Sequence, residues 1–256
     1  MIMSLFGKIG KNMKFEKIPK FVINLEKRPD RLDFIKKELK YIGWDYEIFK
    51  AYDKDSYLGC TLSHIDIIKK AKENNWEHVM AIEDDCCIMP YANSFLSILE
   101  EELKNINFGI LNLSPTHNRP ISISKISKYL LDITNYPEKK EHHRGLFATN
   151  MMVYHESVYD EVLKILENNT MGYYPIDEFI YLNVTSHIQS YCPIVPICIQ
   201  KSDFSNVTNG EYNNFYMQTY NWNGYSPYKI PQEFTSFENI MTYKEKNLKT
   251  NFIYEN

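Results

Sequence analysis

The sequence lacks several features that mark specialised classes of protein. No apolar run approaches the roughly 18 residues that a membrane-spanning helix needs. A formal net charge of -4 argues against a nucleic-acid-binding protein with a generally basic surface. There is no internal repeat, and the 256 residues, 44% of them hydrophobic, suffice for one domain of ordinary enzyme size.

Cysteine is present in a pattern that excludes two further classes. The five cysteines cannot all pair with one another, and none forms a Cys-x-x-Cys motif. Neither a disulfide framework nor a structural zinc site is therefore indicated. The first residues also lack an apolar run of signal-peptide length. We expect a protein of a reducing, cytoplasmic compartment.

Residues 1–19 differ in pattern from the rest of the chain. Lysine recurs every third residue, at Lys8, Lys11, Lys14 and Lys17, with apolar residues between. A basic amphipathic segment of this kind could lie peripherally on an anionic membrane. The alternative, which we favour, is a flexible, solvated leader. A single folded domain over 20–256 follows in either case.

From residue 20 onward, apolar periodicity predicts alternating strands and helices. The expected strands cover about 21–25, 44–48, 79–82, 108–113, 147–154 and 194–200. The expected helices cover about 29–42, 61–74, 92–104 and 158–166, with a short one after Pro175. Residues 114–144 look irregular. The alternation predicts an α/β fold with a parallel sheet between helical layers.

The strongest chemical signal lies where one apolar strand ends. Val79 to Ile82 run directly into Glu83, Asp84 and Asp85. Adjacent carboxylates repel one another, and a hard cation such as Mg²⁺ or Mn²⁺ relieves that repulsion. Ligands of open α/β sheets bind just outside the carboxyl ends of the strands. The competing interpretation is a solvated acidic turn.

Four sequence blocks together resemble glycosyltransferase family 25, the lipopolysaccharide-type and collagen-type galactosyltransferases. The blocks are Ile23 to Arg31, Gly59 to His64, Glu83 to Asp85 and Pro175 to Phe179, with a weaker fifth from Gln200 to Ser205. The resemblance implies a GT-A-type, Rossmann-like three-layer fold with a mostly parallel sheet, and an inverting transfer from a nucleotide sugar. It assigns nucleotide-sugar and metal binding to residues 20–113 and acceptor binding to 114–256.

The resemblance also implies roles for the donor side. Strand alternation would send Glu83 and Asp85 to one side and Asp84 to the other. Asp85 is the favoured cation ligand and Glu83 the second candidate, while Glu83 or Asp84 would contact ribose or a second-shell water. The family pattern is Asp-x-Asp, so the Glu-Asp-Asp order here leaves the ligand set open. Asn24, at a strand end, would bind the base or ribose.

Further donor contacts are expected from the first two helices. Arg28 and Arg31 lie three residues apart and could grip phosphate, unless Arg31 merely pairs with Asp30 or Asp33. Ser63 and His64, expected in the first turn of a helix, would line the donor site. A purely structural histidine is the alternative for His64, and a role as metal ligand is a weaker one.

Asp177 and Glu178 are the candidates for the general base. An inverting transfer needs a carboxylate on the acceptor side, away from the leaving diphosphate. Tyr173 and Tyr174 beside them could form an aromatic platform for sugar. The alternative is that Asp177 only caps a structural helix.

The expected function is thus metal-dependent transfer of a hexose from a UDP-sugar to a hydroxyl group. Galactose is the family default, and glucose is the other candidate. The acceptor would be a glycan, a lipooligosaccharide or a hydroxylysine-type protein. An inactive nucleotide-sugar-binding or carbohydrate-binding protein of the same fold is the main alternative. A metal-dependent phosphatase or nuclease is a further one, although it leaves the arginine and Ser-His blocks unexplained.

Overall fold

The computed structural model describes residues 13–54, 57–117, 124–134, 146–169, 174–185, 187–205, 210–213 and 229–246, with the single residues 215, 218, 219 and 223. The helices are α1 (Pro29–Ile42), α2 (Leu58–Glu73), α3 (Ala92–Leu103), α4 (Tyr159–Leu166), α5 (Ile176–Asn183) and α6 (Phe237–Lys246). The strands are β1 (Lys20–Asn24), β2 (Glu47–Lys50), β3 (His78–Glu83), β4 (Cys86–Ile88), β5 (Ile110–Asn112), β6 (Thr116–His117), β7 (Ser124–Lys125), β8 (Leu130–Asp132), β9 (Leu146–Phe147), β10 (Met151–His155), β11 (Ser190–Pro193), β12 (Cys198–Gln200), β13 (Asp203–Ser205) and β14 (Gly210–Tyr212).

One eight-stranded sheet organises the described part of the chain, in the order β2-β1-β3-β10-β5-β11-β8-β7. β1 pairs in parallel with β2 and β3, and β5 pairs in parallel with β11. β10 runs antiparallel to β3 and β5, and β8 runs antiparallel to β11 and β7. The sheet is therefore mostly parallel, with β10 and β8 reversed.

The two reversed strands agree with the expectation of a mostly parallel sheet. A parallel neighbour needs a crossover, usually a helix, whereas an antiparallel neighbour does not. In the described part of 104–150 the elements are short strands, and β8 from this stretch joins the main sheet. A region expected to be irregular therefore supplies part of the sheet.

The core lies on both faces of the sheet. On β3, Met80 and Ile82 belong to one apolar cluster, which contains buried residues of α1, α3 and α6. Val79 and Ala81, on the opposite face, belong to a second cluster with α2, α4 and α5. This alternation confirms the predicted α/β class, a sheet between two helical layers.

Helix α1 begins and ends as its sequence predicts. Pro29 is its first residue, where the missing N–H costs no helical hydrogen bond. Ile35 and Leu39 are fully buried on its apolar face. Gly43 ends the helix in the left-handed region, at φ 77°, and its N–H donates to the Leu39 carbonyl.

Several predicted boundaries move. The second strand begins at Glu47, because Trp44 turns into the core before the strand starts. Helix α2 begins at Leu58, three residues before the predicted Thr61. We expected the apolar run 194–200 to form one last strand. In the structure, β11 ends just before this run and β12 forms from its last three residues. The antiparallel pair β13–β14 follows.

The leader is shorter than the predicted 1–19. Phe15 and Ile18 are buried in the core beside α3, and the backbone N–H of Phe15 donates to Glu100 of that helix at 2.8 Å. The folded region therefore includes residues 13–19, and residues 1–12 lie outside the described part. Among the described helices, none combines the length and the apolar character that crossing a bilayer requires.

Candidate active site

The acidic motif lies at the carboxyl edge of the parallel strands. Glu83 is the last residue of β3, and Asp84 and Asp85 form the tight turn that leads into β4. Asp84 and Asp85 are buried, and Glu83 is half-buried. Three carboxylates are therefore wholly or partly shielded from bulk water at the position where open α/β sheets bind ligands.

Arg31 of α1 supplies the counter-charge for this turn. Its Nη1 lies 3.1 Å from Asp84 Oδ1 and 3.0 Å from Asp85 Oδ2. Its Nε donates to Asp203 Oδ2 of β13 at 3.3 Å. Burial disfavours the guanidinium charge, but Asp85 and Asp84 outweigh that cost and raise the pKa of Arg31.

Arg28 lies one turn earlier and faces the same edge. Its Nη2 donates to Asp203 Oδ2 at 2.6 Å and to Asp30 Oδ2 at 2.7 Å. Asp30, which the sequence offered as a partner for Arg31, is thus bound by Arg28. Asp203 contacts both arginines and occupies the kind of anionic position that a phosphate would take.

Asn24 supports the acidic turn from the end of β1. Its side-chain amide donates to Asp84 Oδ2 at 2.7 Å and to the Arg28 carbonyl at 3.2 Å. Only 4% of Asn24 is exposed. In the described structure it therefore acts as a support for Asp84, and its predicted contact with a base or ribose remains a prediction.

The predicted alternation of the three carboxylates is wrong in part. Asp84 and Asp85 do not separate to opposite sides, because both contact Nη1 of Arg31. The strict alternation of a strand ends at Glu83, and the two aspartates lie in a turn. Glu83 and Asp85 nevertheless converge, since the Asn150 amide donates to both, at 3.4 and 2.8 Å.

Residues Ala148 to Asn150, just before β10, connect Glu83 and Asp85 with Asp177 on the other side of the site. The Ala148 N–H donates to Asp177 Oδ2 at 3.1 Å, and the Thr149 hydroxyl donates to Glu83 Oε1 at 2.7 Å. Ala148 has φ 72°, a left-handed conformation that is costly for a residue with a side chain. Strain of this kind clusters at functional sites.

The sequence interpretation missed this connecting segment. The one sequence feature that could have indicated this segment is the polar pair Thr149 and Asn150 inside a run of apolar residues. Gln200, at the start of the weak fifth block, also reaches the site, where its amide donates to Asp85 Oδ2 at 3.0 Å. Asp203 lies in the same block but was not singled out.

Asp177 lies in the first turn of α5, beside the connecting segment. Its two oxygens accept from the backbone N–H groups of Ala148 and Glu178, at 3.1 and 2.9 Å. Burial raises the pKa of Asp177, and those two hydrogen bonds oppose the rise. Glu178 is adjacent in the same turn.

Tyr174, 46% exposed, packs its ring 6.3 Å from that of Phe179, and Tyr173 lies outside the described residues.

Ser63 and His64 do not lie in the first turn of their helix, because α2 begins at Leu58. Both side chains are fully buried. The Ser63 hydroxyl donates to the Gly59 carbonyl at 2.8 Å, a bond within the helix. His64 Nδ1 lies 3.0 Å from the Tyr154 hydroxyl. Ser63 is thus positioned as a structural residue, and its predicted contact with the donor has no support in this geometry.

Comparison with known proteins decides the family. The chain matches the family described as Glycosyltransferase family 25 (LPS biosynthesis protein) over residues 17–57 and 54–174, which is more than half of its length. The chain belongs to glycosyltransferase family 25. No curated protein matches it.

Solved structures similar to this family 25 glycosyltransferase are distant. A protein described as a glucose-1-phosphate thymidylyltransferase from Bacillus anthracis is 14% identical, with a TM-score of 0.38 over 67% of this chain and 66% of the other. Mannose-1-phosphate geranyltransferase from Thermus thermophilus is 7% identical, with a TM-score of 0.41 over 69% and 73%. A glycosyltransferase involved in glycosylation of the major capsid of PBCV-1 is 10% identical, with a TM-score of 0.35 over 69% and 93%.

Negative charge on the acidic turn of this glycosyltransferase is disfavoured by burial and by mutual repulsion. Burial and the neighbouring Asp85 raise the pKa of Glu83. Burial and Asp85 likewise raise the pKa of Asp84, although Arg31 opposes the rise. One guanidinium therefore does not fully compensate the turn. Carboxylate oxygens are the ligands that Mg²⁺ and Mn²⁺ prefer, so the side chains of the acidic turn fit a hard divalent cation.

Proposed function

We propose that this family 25 glycosyltransferase transfers a hexose from a UDP-sugar to a hydroxyl group, with a divalent cation and with inversion. Galactose is the first candidate sugar and glucose the second. The observation that carries the proposal is the buried acidic turn at the carboxyl edge of the sheet, which has two arginines on one side and a separate carboxylate, Asp177, on the other.

Glu83 and Asp85 are the residues that would hold Mn²⁺ or Mg²⁺. They are drawn together by the Asn150 amide, and their oxygens are hard ligands. When bound, the cation would neutralise charge on the leaving diphosphate. Asp84 accepts a hydrogen bond from the Asn24 amide, and this position suits a contact with the ribose or with a second-shell water of the cation.

Arg28 and Arg31 would bind and orient the donor diphosphate. Both already bind one anionic group, the carboxylate of Asp203, at 2.6 and 3.3 Å. Guanidinium groups bind phosphate and carboxylate through the same geometry. A diphosphate could therefore take over these contacts, which would direct its charge towards the acidic turn and its cation.

Asp177 would accept the proton of the acceptor hydroxyl, with Glu178 as the fallback. The raised pKa of Asp177 brings it closer to neutral pH, where a general base is most effective. The connecting segment Ala148 to Asn150 fixes Asp177 relative to Glu83 and Asp85. The exposed ring of Tyr174 lies three residues before Asp177 in sequence and supports a sugar acceptor on this side.

The acceptor class that we propose is a glycan, a lipooligosaccharide or a hydroxylysine-type protein. This part of the proposal rests on the family, because the described residues contain no readable acceptor motif. A cytoplasmic location, with peripheral membrane contact through residues 1–12, is likewise a proposal. Binding of the full chain to anionic vesicles, compared with a variant that lacks residues 1–12, would test the membrane contact.

A donor screen tests the central proposal. The purified chain is incubated with a panel of nucleotide sugars and Mn²⁺, and released nucleotide is measured with and without a chelator. We expect release from a UDP-hexose that requires the cation. Asp85→Asn should abolish it, while the exposed Asp33→Asn on α1 should not. Full turnover in excess chelator, or no turnover with any donor, would contradict the proposal. The second outcome would favour the inactive binding protein.

A further inference from the structure

A second group of ligand-type side chains lies behind the acidic turn. Cys60 and His64 are four residues apart on α2 and so share one helix face. Glu83 faces them from the end of β3. The Cys60 sulfur, a ring nitrogen of His64 and a Glu83 oxygen all lie within 4.8 Å of one another. Cys60 as a residue is partly exposed.

His64 has a ring nitrogen with no partner. Its Nδ1 lies 3.0 Å from the Tyr154 hydroxyl, but Nε2 is buried and has no hydrogen bond among the described residues. The whole residue is 0% exposed. Buried polar atoms in folded proteins nearly always have a partner, and an exception often indicates an ion or a water. Nε2 is therefore the ring nitrogen of His64 that is available to a ligand.

The protonation state of His64 suits a metal ligand. Burial lowers the pKa of His64 to about 4, so its ring is neutral near pH 7. A neutral ring that donates from Nδ1 to Tyr154 leaves the Nε2 lone pair available. A histidine ligand usually donates a hydrogen bond from the ring nitrogen that does not bind the metal, and this hydrogen bond fixes the orientation of the ring.

We propose that Cys60, His64 and Glu83 form a binding site for a borderline transition-metal ion of the Zn²⁺ class. A thiolate, an imidazole and a carboxylate are the ligands that Zn²⁺ uses, with water at the open fourth position. The Cys60 proton passes to solvent as the sulfur binds the ion. This site is chemically distinct from the all-oxygen set of the acidic turn and does not depend on the proposed function. Because Glu83 belongs to both sets, an ion here would withdraw Glu83 from the acidic turn.

Cobalt binding tests the proposal without any activity measurement. Metal-free full-length protein is titrated with Co²⁺, whose charge-transfer band reports sulfur ligation and is not produced by binding to the oxygen ligands alone. We expect a near-ultraviolet thiolate-to-cobalt charge-transfer band that Zn²⁺ removes by displacing the cobalt. Absence of this band in the wild-type protein would overturn the proposal.

Substitutions then assign the ligands. Cys60→Ser should remove the band, whereas Cys192→Ser, at another free and buried cysteine, should retain it. His64→Gln should weaken Co²⁺ binding by at least about 100-fold, and Tyr154→Phe, which removes only the orienting hydroxyl, by about 10–100-fold. A band that survives in Cys60→Ser, or an unchanged affinity in His64→Gln, would contradict the assignment.

Two further variants keep the test decisive. Asp85→Asn should retain the band, because Asp85 belongs to the oxygen set alone, and loss of the band in this variant would show that the two sites are one. If Cys60→Ser fails to fold, as judged by circular dichroism, Glu83→Gln replaces it. Glu83→Gln preserves the shape of the side chain and should weaken Co²⁺ binding by at least about tenfold. Unchanged binding in folded Glu83→Gln would remove Glu83 from the site.

Discussion

Replacement of Arg31 by methionine should destabilise the protein in the absence of divalent cations. The Arg31 side chain is only 14% exposed and contacts carboxylates of Asp84, Asp85 and Asp203 at 3.0–3.3 Å. Methionine has a similar length but cannot pair with an anion. Removal of one partner from a buried ion pair costs about 3–5 kcal/mol, because the remaining charge is left uncompensated. At 2–4 °C per kcal/mol, the melting temperature should fall by roughly 6–20 °C.

The same variant should respond more strongly to Mn²⁺ than the wild-type protein. In the wild type, a cation must compete with Arg31 for Asp84 and Asp85. In Arg31→Met that competition is gone, so the carboxylates bind the cation more readily. A ligand at 100 times its Kd stabilises a folded protein by about 2.7 kcal/mol. Mn²⁺ should therefore recover much of the lost stability.

Thermal unfolding in chelator and in Mn²⁺ measures both effects. Lys27→Met is the matched control, because Lys27 pairs with Asp53 at the surface and is 53% exposed. A surface ion pair contributes at most about 1 kcal/mol. If Arg31→Met melts at the wild-type temperature in chelator, Arg31 does not stabilise the acidic turn. If Mn²⁺ stabilises the wild type more than the variant, Arg31 assists cation binding and does not compete with it.

Three further predictions concern other groups. Asp177→Asn should lower kcat by about 10²-fold or more with nucleotide binding unchanged by calorimetry, and an unchanged kcat would leave Asp177 only its structural hydrogen bonds. Arg28→Ala should weaken nucleotide-sugar binding about tenfold or more, since a charge-assisted hydrogen bond contributes about 1.5–3 kcal/mol, while the control Lys27→Ala should not. Burial and the neighbouring His155 lower the pKa of His78 to about 3 from an ordinary 6.5, so below pH 6.5 the unfolded chain takes up a proton that the folded chain does not. Stability should fall as pH drops from 6.5 towards 3, by up to about 1.4 kcal/mol per pH unit from this group, and an equally steep fall in His78→Gln would contradict this origin.

Local sequence patterns predict the individual helices and strands and the chemistry of one turn. The apolar spacing of α1 predicts its helix, and Pro29 and Gly43 mark its two ends, because these signals act within a few residues. The run from Val79 into Glu83, Asp84 and Asp85 likewise predicts a buried strand with an acidic exit. Such features can be read locally since a helix or strand depends mainly on its own periodicity.

Which groups meet at that exit depends on long-range packing, which the sequence patterns do not reveal. Asp203 and Asn150 lie far from Glu83 to Asp85 in sequence, and neither has a local pattern that predicts its contact with the site. The reversed direction of β10 brings Ala148 to Asn150 to the carboxyl edge of β3. A single sequence shows the periodicity of a strand but not its direction or its neighbours, because pairing is set by long-range packing. The same packing places Asp177 beside the site and brings Cys60 and His64 close to Glu83.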